Sequence, residues 1–305
     1  MIAAKQIQYL RQSDIDKLKW DRCIQSVNDG LVYNYSWCLD IMCPQWDGLV
    51  LNDYEAVMPL TWKKKYGIAY LYQPFFVAQS GITAKTSSSA LTDAFISAVP
   101  ARFKFIDIDL HETNDTAQYT SFCHRRVNLL LDTRLDYKIV SGEYHRLANR
   151  MIRKAAAAEV VVETGNDIAA SIDFYRNHYQ LKGVRQRDYD RLITMLNKAL
   201  ENDQLVSLVA KKSGVLLAVY LLLKDDHYVY SVIGGSSPEG KEYAAFYLLT
   251  DYAIKLICGT GRQFRFEGSD LPGIANFNRQ FGATPVYYNH LALNRLPFPL
   301  NLLKK

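Results

Sequence analysis

The chain has 305 residues, of which 49% are hydrophobic and 22% are charged. Those proportions are typical of a globular protein with substantial cores, and the length allows one large domain or two ordinary ones. The net charge of +5 favours anionic ligands slightly but is lower than that of a dedicated nucleic-acid binder. Five scattered cysteines without a CxxC pair exclude a disulfide scaffold and favour a reducing compartment.

Targeting, membrane and metal signals are not found in the sequence. The segment from Met1 to Trp20 has no apolar core of signal-peptide length. The longest apolar run, Val215 to Leu223, is much shorter than the ~20 residues that span a bilayer. No HExxH, paired CxxC or G-x-S-x-G motif occurs, and the histidines do not cluster. We therefore expect a cytoplasmic protein without a membrane span or a metal site.

The first half alternates helical and strand patterns separated by turn signals. The predicted elements are a helix from Ser13, as its cap, to about Val27, strands Trp46 to Asn52, Glu55 to Trp62 and Ile68 to Tyr72, a helix Ser88 to Val99, and strands Phe103 to Asp109 and Val127 to Leu131.

The second half repeats the same order of elements. The predicted elements are helices Glu143 to Ala158, Ile168 to Leu181 and Asp188 to Asn202, strands Leu205 to Ala210, Val215 to Leu223 and Tyr228 to Ile233, a helix Tyr243 to Cys258, a strand Gln263 to Glu267, a helix Ile274 to Phe281 and a strand Val286 to Leu293.

A nearly constant shift relates the two halves. Leu49 aligns with Leu208, Phe103 with Phe264, and Asn128 with Asn289, at shifts of about 159 to 161 residues. A duplicated unit explains this agreement, and two unrelated α/β domains are the alternative. Each unit is predicted to be an antiparallel meander, a helix, and a strand that returns parallel to an earlier one. The boundary is expected between Leu135 and Gly142.

Two segments of the second half carry a resemblance to a known family. The first is the basic helix Arg146-Leu-Ala-Asn-Arg-Met-Ile-Arg-Lys154. The second runs from Phe266 to Gly282, where a strand ends in an acidic residue and glycine and a helix leads to Phe277-Asn-Arg-Gln-Phe-Gly282. Both resemble the FemAB family, although Arg279 does not stand at the family's usual lysine position. The first half resembles this family only in the order of its elements.

The resemblance implies an α/β (α+β) fold of two tandem GNAT-like acetyltransferase domains, residues 1–138 and 139–305, with mixed sheets flanked by helices. It implies transfer of an acyl or aminoacyl group to an amine acceptor, without a metal or a tightly bound cofactor. The donor would be an acyl-CoA or an aminoacyl-tRNA, whose acceptor end is then a partner. A role in cell-wall assembly also fits the resemblance.

The predicted catalytic group lies at the end of the strand near Glu267. Ligands of open α/β sheets bind at the carboxyl ends of strands where the strand order switches. Glu267 could orient or deprotonate an amine, and we add Ser269 and Tyr243 as catalytic candidates, with Asn276 and Arg279 as substrate-binding supports. Alternatively, Glu267 pairs with Arg265 or Arg279 and only holds the turn. Gly268 would permit close backbone approach, and Asp270 would cap the next helix.

The loop from Gly234 to Lys241 nearly matches a P-loop. Glu242 stands where Ser or Thr should ligate magnesium, and the preceding strand belongs to a meander, so we reject a nucleotide triphosphatase. The loop still joins a strand to a helix, so its N–H groups could hold an anion, and we select Gly235, Ser236 and Lys241 as substrate-binding residues. The usual coenzyme A fingerprint, Gln or Arg followed after two residues by Gly-x-Gly or Gly-x-Ala, is absent.

Further binding residues are predicted on a basic helix and in the first half. Arg146, Arg150, Arg153 and Lys154 form one stripe, and we expect Arg150 and Arg153 to contact phosphates; an ordinary solvated face is the alternative. Tyr72 ends a predicted strand and Gln73 follows it, and both could line an acceptor cleft. A loop that merely covers the sheet explains them equally well.

The predicted reaction is attack of a free amine on an activated carbonyl, with catalysis mainly by positioning and by oxyanion stabilisation. The first rival is an acyl-CoA-dependent N-acetyltransferase of a small molecule or polysaccharide precursor. The second is a catalytically silent ligand-binding protein.

Overall fold

The computed structural model describes residues 6–299 and residue 301. The outermost residues of both predicted domains, 1–5, 300 and 302–305, lie outside the described residues. The strands, in chain order, are β1 (Ile7–Arg11), β2 (Trp46–Leu51), β3 (Ala56–Lys65), β4 (Ile68–Tyr72), β5 (Thr83–Ala84), β6 (Phe103–Asp109), β7 (Cys123–Leu131), β8 (Val161–Thr164), β9 (Leu205–Lys212), β10 (Val215–Lys224), β11 (Tyr228–Ser236), β12 (Gln263–Arg265) and β13 (Thr284–Asn294).

The α-helices alternate with these strands along the chain. They are α1 (Lys17–Gln25), α2 (Ser36–Met42), α3 (Ser89–Ala98), α4 (Tyr137–Gly142), α5 (Arg146–Ala157), α6 (Ile168–His178), α7 (Gln186–Glu201), α8 (Pro238–Glu242), α9 (Ala245–Ile257) and α10 (Pro272–Arg279).

The chain forms two compact units that do not simply follow sequence order. Unit 1 comprises Met1–Arg126 with Tyr287–Lys305, and unit 2 comprises Val127–Val286. The division at 138/139 follows the sequence repeat and stays a prediction.

The two units share the order of their first five strands. Unit 1 has the order β1-β2-β3-β4-β6, with β5 paired to β3, and unit 2 has the order β8-β9-β10-β11-β12. In each unit the fourth and fifth strands are parallel, while the earlier neighbours are antiparallel. The predicted tandem GNAT-like fold of two mixed sheets with helices is therefore confirmed. β3 and β10 begin at Ala56 and Val215, the predicted shift of 159.

The sixth strand of each unit comes from the other half of the sequence. In unit 1, residues His290 to Asn294 of β13 pair antiparallel with β6. In unit 2, Leu130 and Leu131 of β7 pair antiparallel with β12. Each sheet thus includes a strand from a distant part of the sequence. The two compact units therefore cannot be separated by dividing the chain at one position.

Several predicted helix ends are wrong for identifiable reasons. Ser13 lies in a short 3-10 turn, and Asp16 caps α1 instead, because its carboxylate accepts hydrogen bonds from the N–H groups of Leu18 and Lys19. The helix expected from Glu143 to Ala158 is α5, which begins three residues later, at Arg146. The His145 N–H donates to the Gln280 carbonyl at 2.8 Å, and the His145 side chain caps α5. A tertiary contact and a local cap therefore set the first residue of this helix.

Six of these elements were not predicted from the sequence. All are short, at two to seven residues each, namely β1, α2, β5, α4, β8 and α8. Such segments provide too few turns or alternations for a periodic signal. β1 and β8 extend the two sheets at equivalent positions, each antiparallel to the next strand, so they strengthen the match between the halves.

Candidate functional site

The two parallel strands of unit 2 separate at their carboxyl ends. β11 and β12 pair at Tyr228–Gln263, Val229–Phe264 and Tyr230–Arg265, where the pairing stops. β11 continues to Ser236 alongside β10, with a bulge at Val232, the residue that interrupts the register. Among the described residues, only β10 pairs as a strand with this second part of β11. One edge of β11 beyond Tyr230 is therefore left without a neighbouring strand.

Tyr179, the residue after α6, contacts the end of this edge. Its hydroxyl accepts a hydrogen bond from the Ser236 N–H and donates one to the Ser236 carbonyl, both at 3.0 Å. Its ring lies against Gly235, where any Cβ would overlap it. The predicted residues Gly235 and Ser236 are thus buried in a backbone contact with Tyr179, a residue that the sequence analysis did not select.

Glu267 lies two residues after the end of β12 and is held by two donors. Its carboxylate is 3.3 Å from Nε of Arg265 and accepts a hydrogen bond of 2.8 Å from the Asn128 amide. The Arg265 side chain is fully buried and that of Glu267 is 9% exposed. Of the two arginines considered as partners in the sequence, Arg265 is therefore the one in contact.

The residues after Glu267 form a tight turn. Gly268 has φ +72°, a conformation that favours glycine. The Ser269 hydroxyl is buried, donates to the Phe266 carbonyl at 3.2 Å and lies 3.3 Å from the Asn278 amide. The prediction that Asp270 caps the next helix is wrong. Its carboxylate accepts from the Val127 N–H at 2.9 Å, and α10 begins instead at Pro272, which suits a first helical turn.

The predicted anion loop has most of its backbone donors engaged. The Ser237 N–H donates to the Leu217 carbonyl at 2.9 Å, and the Gly240 N–H donates to the Ser237 hydroxyl at 3.0 Å. Lys241 is exposed, with Nζ 5.3 Å from the Tyr179 ring centroid. Tyr243 directly follows α8 and is half-buried, with Lys212 Nζ 5.1 Å from its ring centroid. The convergence of this loop and the Glu267 turn on one cleft stays a prediction.

The remaining predicted residues of unit 2 are at the surface. Arg150 and Arg153 are exposed on α5, as a phosphate contact or a solvated face would require. Asn276 and Arg279 are exposed on α10 and hydrogen-bond to each other at 3.3 Å. Nothing in these contacts distinguishes a ligand site from an ordinary surface.

The predicted residues of unit 1 stabilise the ends of its two parallel strands. Tyr72 and Asp107 form the last pair of β4 and β6. The Gln73 amide oxygen accepts from the Asp109 N–H at 3.1 Å, and the Ser80 N–H donates to the Asp109 carbonyl at 2.9 Å. The Tyr72 hydroxyl is 3.4 Å from Cys43 Sγ. In unit 1 the chain itself therefore fills the separation between the strands.

A charged cluster on unit 1 was missed by the sequence analysis. His290 on β13 lies between two carboxylates of β6, with Nε2 3.0 Å from Asp107 and Nδ1 2.9 Å from Asp109. Arg126 donates twice to Asp109, at 2.8 and 2.9 Å, and the His124 ring stacks at 6.4 Å from that of His290. The only local sign of this cluster in the sequence is the alternation of isoleucine and aspartate over residues 106–109. The contact with His290 could not be predicted, because it depends on the distant β13.

The cluster changes the ionisation of its histidine. Hydrogen bonds raise the pKa of His290 from 6.5 to about 9, the bond to Asp107 contributing most and the bond to Asp109 next. Burial opposes this shift. A histidine that stays protonated at neutral pH is a hydrogen-bond donor and is poorly suited to accept a proton from an amine. We therefore treat the cluster as an organising feature of unit 1.

Other features of the described residues do not add to the site. A pocket of about 600 Å³ in unit 1 lies between α1 and the turn from β2 to β3, and no predicted site residue lines it. Within residues 6–299 and 301, no group of three or more His, Cys, Asp or Glu side chains is placed to hold a metal ion. No helix in the same part of the chain is long and apolar enough to cross a membrane.

Comparison with known proteins agrees with this architecture. Residues 144–272 match the family model of an acetyltransferase (GNAT) domain. No curated protein matches the chain in sequence.

Solved structures resemble the chain over nearly its whole length. A crystal structure of FemX is 13% identical, with a TM-score of 0.66, covering 97% of this chain and 99% of FemX. L-PGS from Bacillus licheniformis is 13% identical, with a TM-score of 0.55 and coverages of 94% and 95%. A tandem GNAT protein from the clavulanic acid biosynthesis pathway is 12% identical, with a TM-score of 0.52 and coverages of 96% and 99%. Residues 144–272 therefore resemble a GNAT acetyltransferase domain by family model, and nearly the whole chain has the same fold as FemX, L-PGS and the tandem GNAT protein.

Proposed function

We propose that the chain transfers an activated acyl or aminoacyl group onto an amine, with unit 2 as the reacting unit. The observation that carries this proposal is the edge of β11 beyond Tyr230, where β11 has separated from β12, the strand that leads to Glu267. Backbone N–H groups on such an edge can donate to a carbonyl oxygen as negative charge develops on it. The amine nitrogen attacks the carbonyl carbon, the bond to the donor's sulfur or oxygen breaks, and the amine's proton passes to that leaving group.

Glu267 is the proposed group that orients the amine. Its carboxylate is fixed by Arg265 and Asn128, so its position would not depend on a flexible side chain. Ser269 supports this role indirectly, since its hydroxyl holds the turn through Phe266. Tyr243, at the joint between α8 and α9, is the proposed hydroxyl donor to the substrate.

The proposed donor is an aminoacyl ester and not coenzyme A. The N–H groups of Ser236, Ser237 and Gly240 are engaged by protein groups, which leaves fewer donors for a pyrophosphate in this loop. The exposed Arg150 and Arg153 instead offer charge to a phosphate backbone such as a tRNA acceptor end.

A transfer assay with two donor classes tests the proposal. Purified full-length protein would be incubated with radiolabelled aminoacyl-tRNA or acetyl-CoA, together with amines such as lysyl peptides, amino sugars and polyamines. Amide product from aminoacyl-tRNA is the expected result. Product from acetyl-CoA alone would favour the acyl-CoA-dependent N-acetyltransferase instead.

The same assay tests the alternative that the protein binds its ligands without catalysing a reaction. If neither donor gives product, although ligands from either class raise the melting temperature, the binding-protein alternative replaces the transferase.

A further inference from the structure

The pocket of about 600 Å³ in unit 1 has an apolar floor and a charged rim. The residues of the floor belong to one apolar cluster, namely Leu51, Ala56, Ala84 and Leu91. Leu51 pairs with Ala56 across β2 and β3, and Ala56 pairs with Ala84 across β3 and β5. Leu91 comes from the first turn of α3. A pocket of this volume with an apolar lining and a few charged groups is typical of a small-molecule site.

Five charged side chains line the rim, and two of them neutralise each other. Lys19 Nζ lies 2.6 Å from Asp53 Oδ1, so this ion pair is complete without a ligand. The other three charged side chains are exposed, and they are Arg22, Glu55 and Lys85. Within residues 6–299 and 301, no hydrogen bond or ion pair involves any of these three side chains. The pocket therefore presents two unpaired cations and one unpaired carboxylate to a ligand.

The backbone register brings two of these charges to the same edge of the pocket. Ala56 is the first residue of β3 and pairs with Ala84, the last residue of β5. Glu55 directly precedes Ala56 and Lys85 directly follows Ala84, so the two residues continue adjacent antiparallel chains. Opposite charges on adjacent chains stabilise a sheet when they pair. Here they do not pair, which leaves both available to separate groups of one ligand.

Lys85 lies on the side of the pocket that α1 forms. Burial raises the pKa of the Cys23 thiol to about 11, and the positive charge of Lys85 opposes this rise. Cys23 and Arg22 are consecutive residues of α1, and both line the pocket. The two unpaired cations are therefore grouped near α1, whereas Glu55 comes from the turn between β2 and β3.

We propose that this pocket binds a small amphipathic zwitterion, of the size of an amino acid or a dipeptide. Its carboxylate lies between Arg22 and Lys85, its ammonium group contacts Glu55, and its apolar part covers the floor. A guanidinium suits this role because it can donate two parallel hydrogen bonds to one carboxylate. A plain anion would satisfy the two cations but would approach the like charge of Glu55, and a plain amine would approach the two cations. The proposal concerns unit 1 and does not depend on the transfer reaction.

Binding of three related probes to the full-length protein tests this assignment. Alanyl-phenylalanine carries both charges, its N-acetyl derivative lacks the ammonium group, and its C-terminal amide lacks the carboxylate. Isothermal titration calorimetry, without any acyl donor present, would measure the three dissociation constants. We expect alanyl-phenylalanine to bind about tenfold more tightly than either derivative, because each derivative loses one charge-assisted contact.

Variants of the rim identify which charges of the probe and of the protein meet. Glu55→Gln should weaken binding of alanyl-phenylalanine about tenfold but should not weaken binding of the N-acetyl derivative, which has no ammonium group to lose. Arg22→Gln combined with Lys85→Gln should weaken both probes that carry a carboxylate but not the amide. Lys64→Gln removes an exposed cation outside the pocket and is the matched control. Because all four side chains are exposed, the variants should keep the melting temperature of the wild type.

Equal affinity for alanyl-phenylalanine and its N-acetyl derivative would overturn the proposal in favour of a plain anion site. Equal affinity for the amide would overturn it in favour of a plain cation site. The proposal also fails if no probe binds at millimolar concentration, or if Lys64→Gln weakens binding as much as the rim variants do. Transfer activity without binding of these probes would refute the pocket proposal alone, and binding without transfer activity would refute the transferase alone.

Discussion

The fifth strand of unit 1, β6, and the fourth strand of unit 2, β11, end in different kinds of contact. In unit 1, the Gln73 side chain and the Ser80 backbone satisfy both backbone groups of Asp109 on β6. In unit 2, a single hydroxyl, that of Tyr179, satisfies both groups of Ser236 on β11. The contacts at Asp109 come from two places in the chain, whereas those at Ser236 come from one side chain. Under the proposed function, we expect the strand ends of unit 2 and not those of unit 1 to contact the substrate.

The ion pairs near the ends of β12 and β6 also differ, in how deeply the arginine is buried. Unit 2 holds Glu267 against Arg265, whose side chain is fully buried. Unit 1 holds Asp109 against Arg126, whose side chain is 37% exposed, and against His290. A buried arginine depends on its carboxylate far more than one that reaches water. Changes to the charges should therefore affect unit 2 more strongly than unit 1.

The largest expected effect concerns the charge of Glu267. Glu267→Gln should lower kcat by about 10²- to 10⁴-fold, the range for general acid–base assistance, because it keeps the shape but loses the negative charge. Steady-state kinetics with the active donor would measure this, and Asp53→Asn, an exposed carboxylate of unit 1, is the control. Full activity of the variant would show that positioning by other groups is sufficient.

The stability of the two ion pairs provides the next comparison. Glu267→Ala should reduce the free energy of unfolding by about 3–5 kcal/mol, because Arg265 loses its carboxylate in a buried position. Asp109→Ala should cost less, since Arg126 can be hydrated. Urea denaturation of both variants would measure the difference. Equal losses would contradict the distinction between the units.

The His290 cluster should make the stability of unit 1 depend on pH. The folded pKa of about 9 is above the ordinary 6.5, so the stabilisation is complete below about pH 6.5 and is lost as pH rises through 9. The groups that face His290 are Asp107, Asp109, Arg126 and, by stacking, His124. Between about pH 6 and pH 10, the denaturant midpoint should fall more in wild type than in His290→Asn. An equal pH dependence of stability in the two proteins would indicate that titratable groups other than His290 cause it.

The basic stripe of α5 should affect binding of anionic ligands. Arg150→Ala combined with Arg153→Ala should weaken tRNA binding about tenfold at low salt and reduce its salt dependence, since two phosphate contacts are lost. Folding should change by no more than ~0.5 kcal/mol per substitution. Lys64→Ala with Lys65→Ala removes two exposed charges from unit 1 and is the matched control. Equal effects of the two pairs would mean that only net charge matters.

The smallest expected effect is on the strand ends of unit 1. Gln73→Ala removes the acceptor of the Asp109 N–H and should cost about 1 kcal/mol of stability without altering transfer. Thermal unfolding and the transfer assay would measure both. A large loss of activity would assign substrate contact to unit 1 as well and would end the contrast.

Much of the fold could be predicted because its signals are local. Ile68 to Tyr72 and Phe103 to Asp109 were predicted with their observed bounds, since alternation and turn residues delimit them. The repeat of the two halves could be predicted from the nearly constant shift between matching residues alone. The acidic strand end at Glu267 was also visible, and its alternative as a partner of Arg265 was considered from residue types two positions apart.

The rest depends on residues that are far apart in the chain. β13 completes the sheet of unit 1 and β7 that of unit 2, and no periodicity near Leu131 or His290 specifies which strand each will join. Tyr179 and Ser236 are 57 residues apart, so their contact exists only after α6 packs beside β11. The sequence by itself determined the longer elements, their repetition and the carboxylate that follows β12, because these arise from neighbouring residues. Only the tertiary structure decided the strand exchange and which groups occupy the strand edges, because both result from long-range packing.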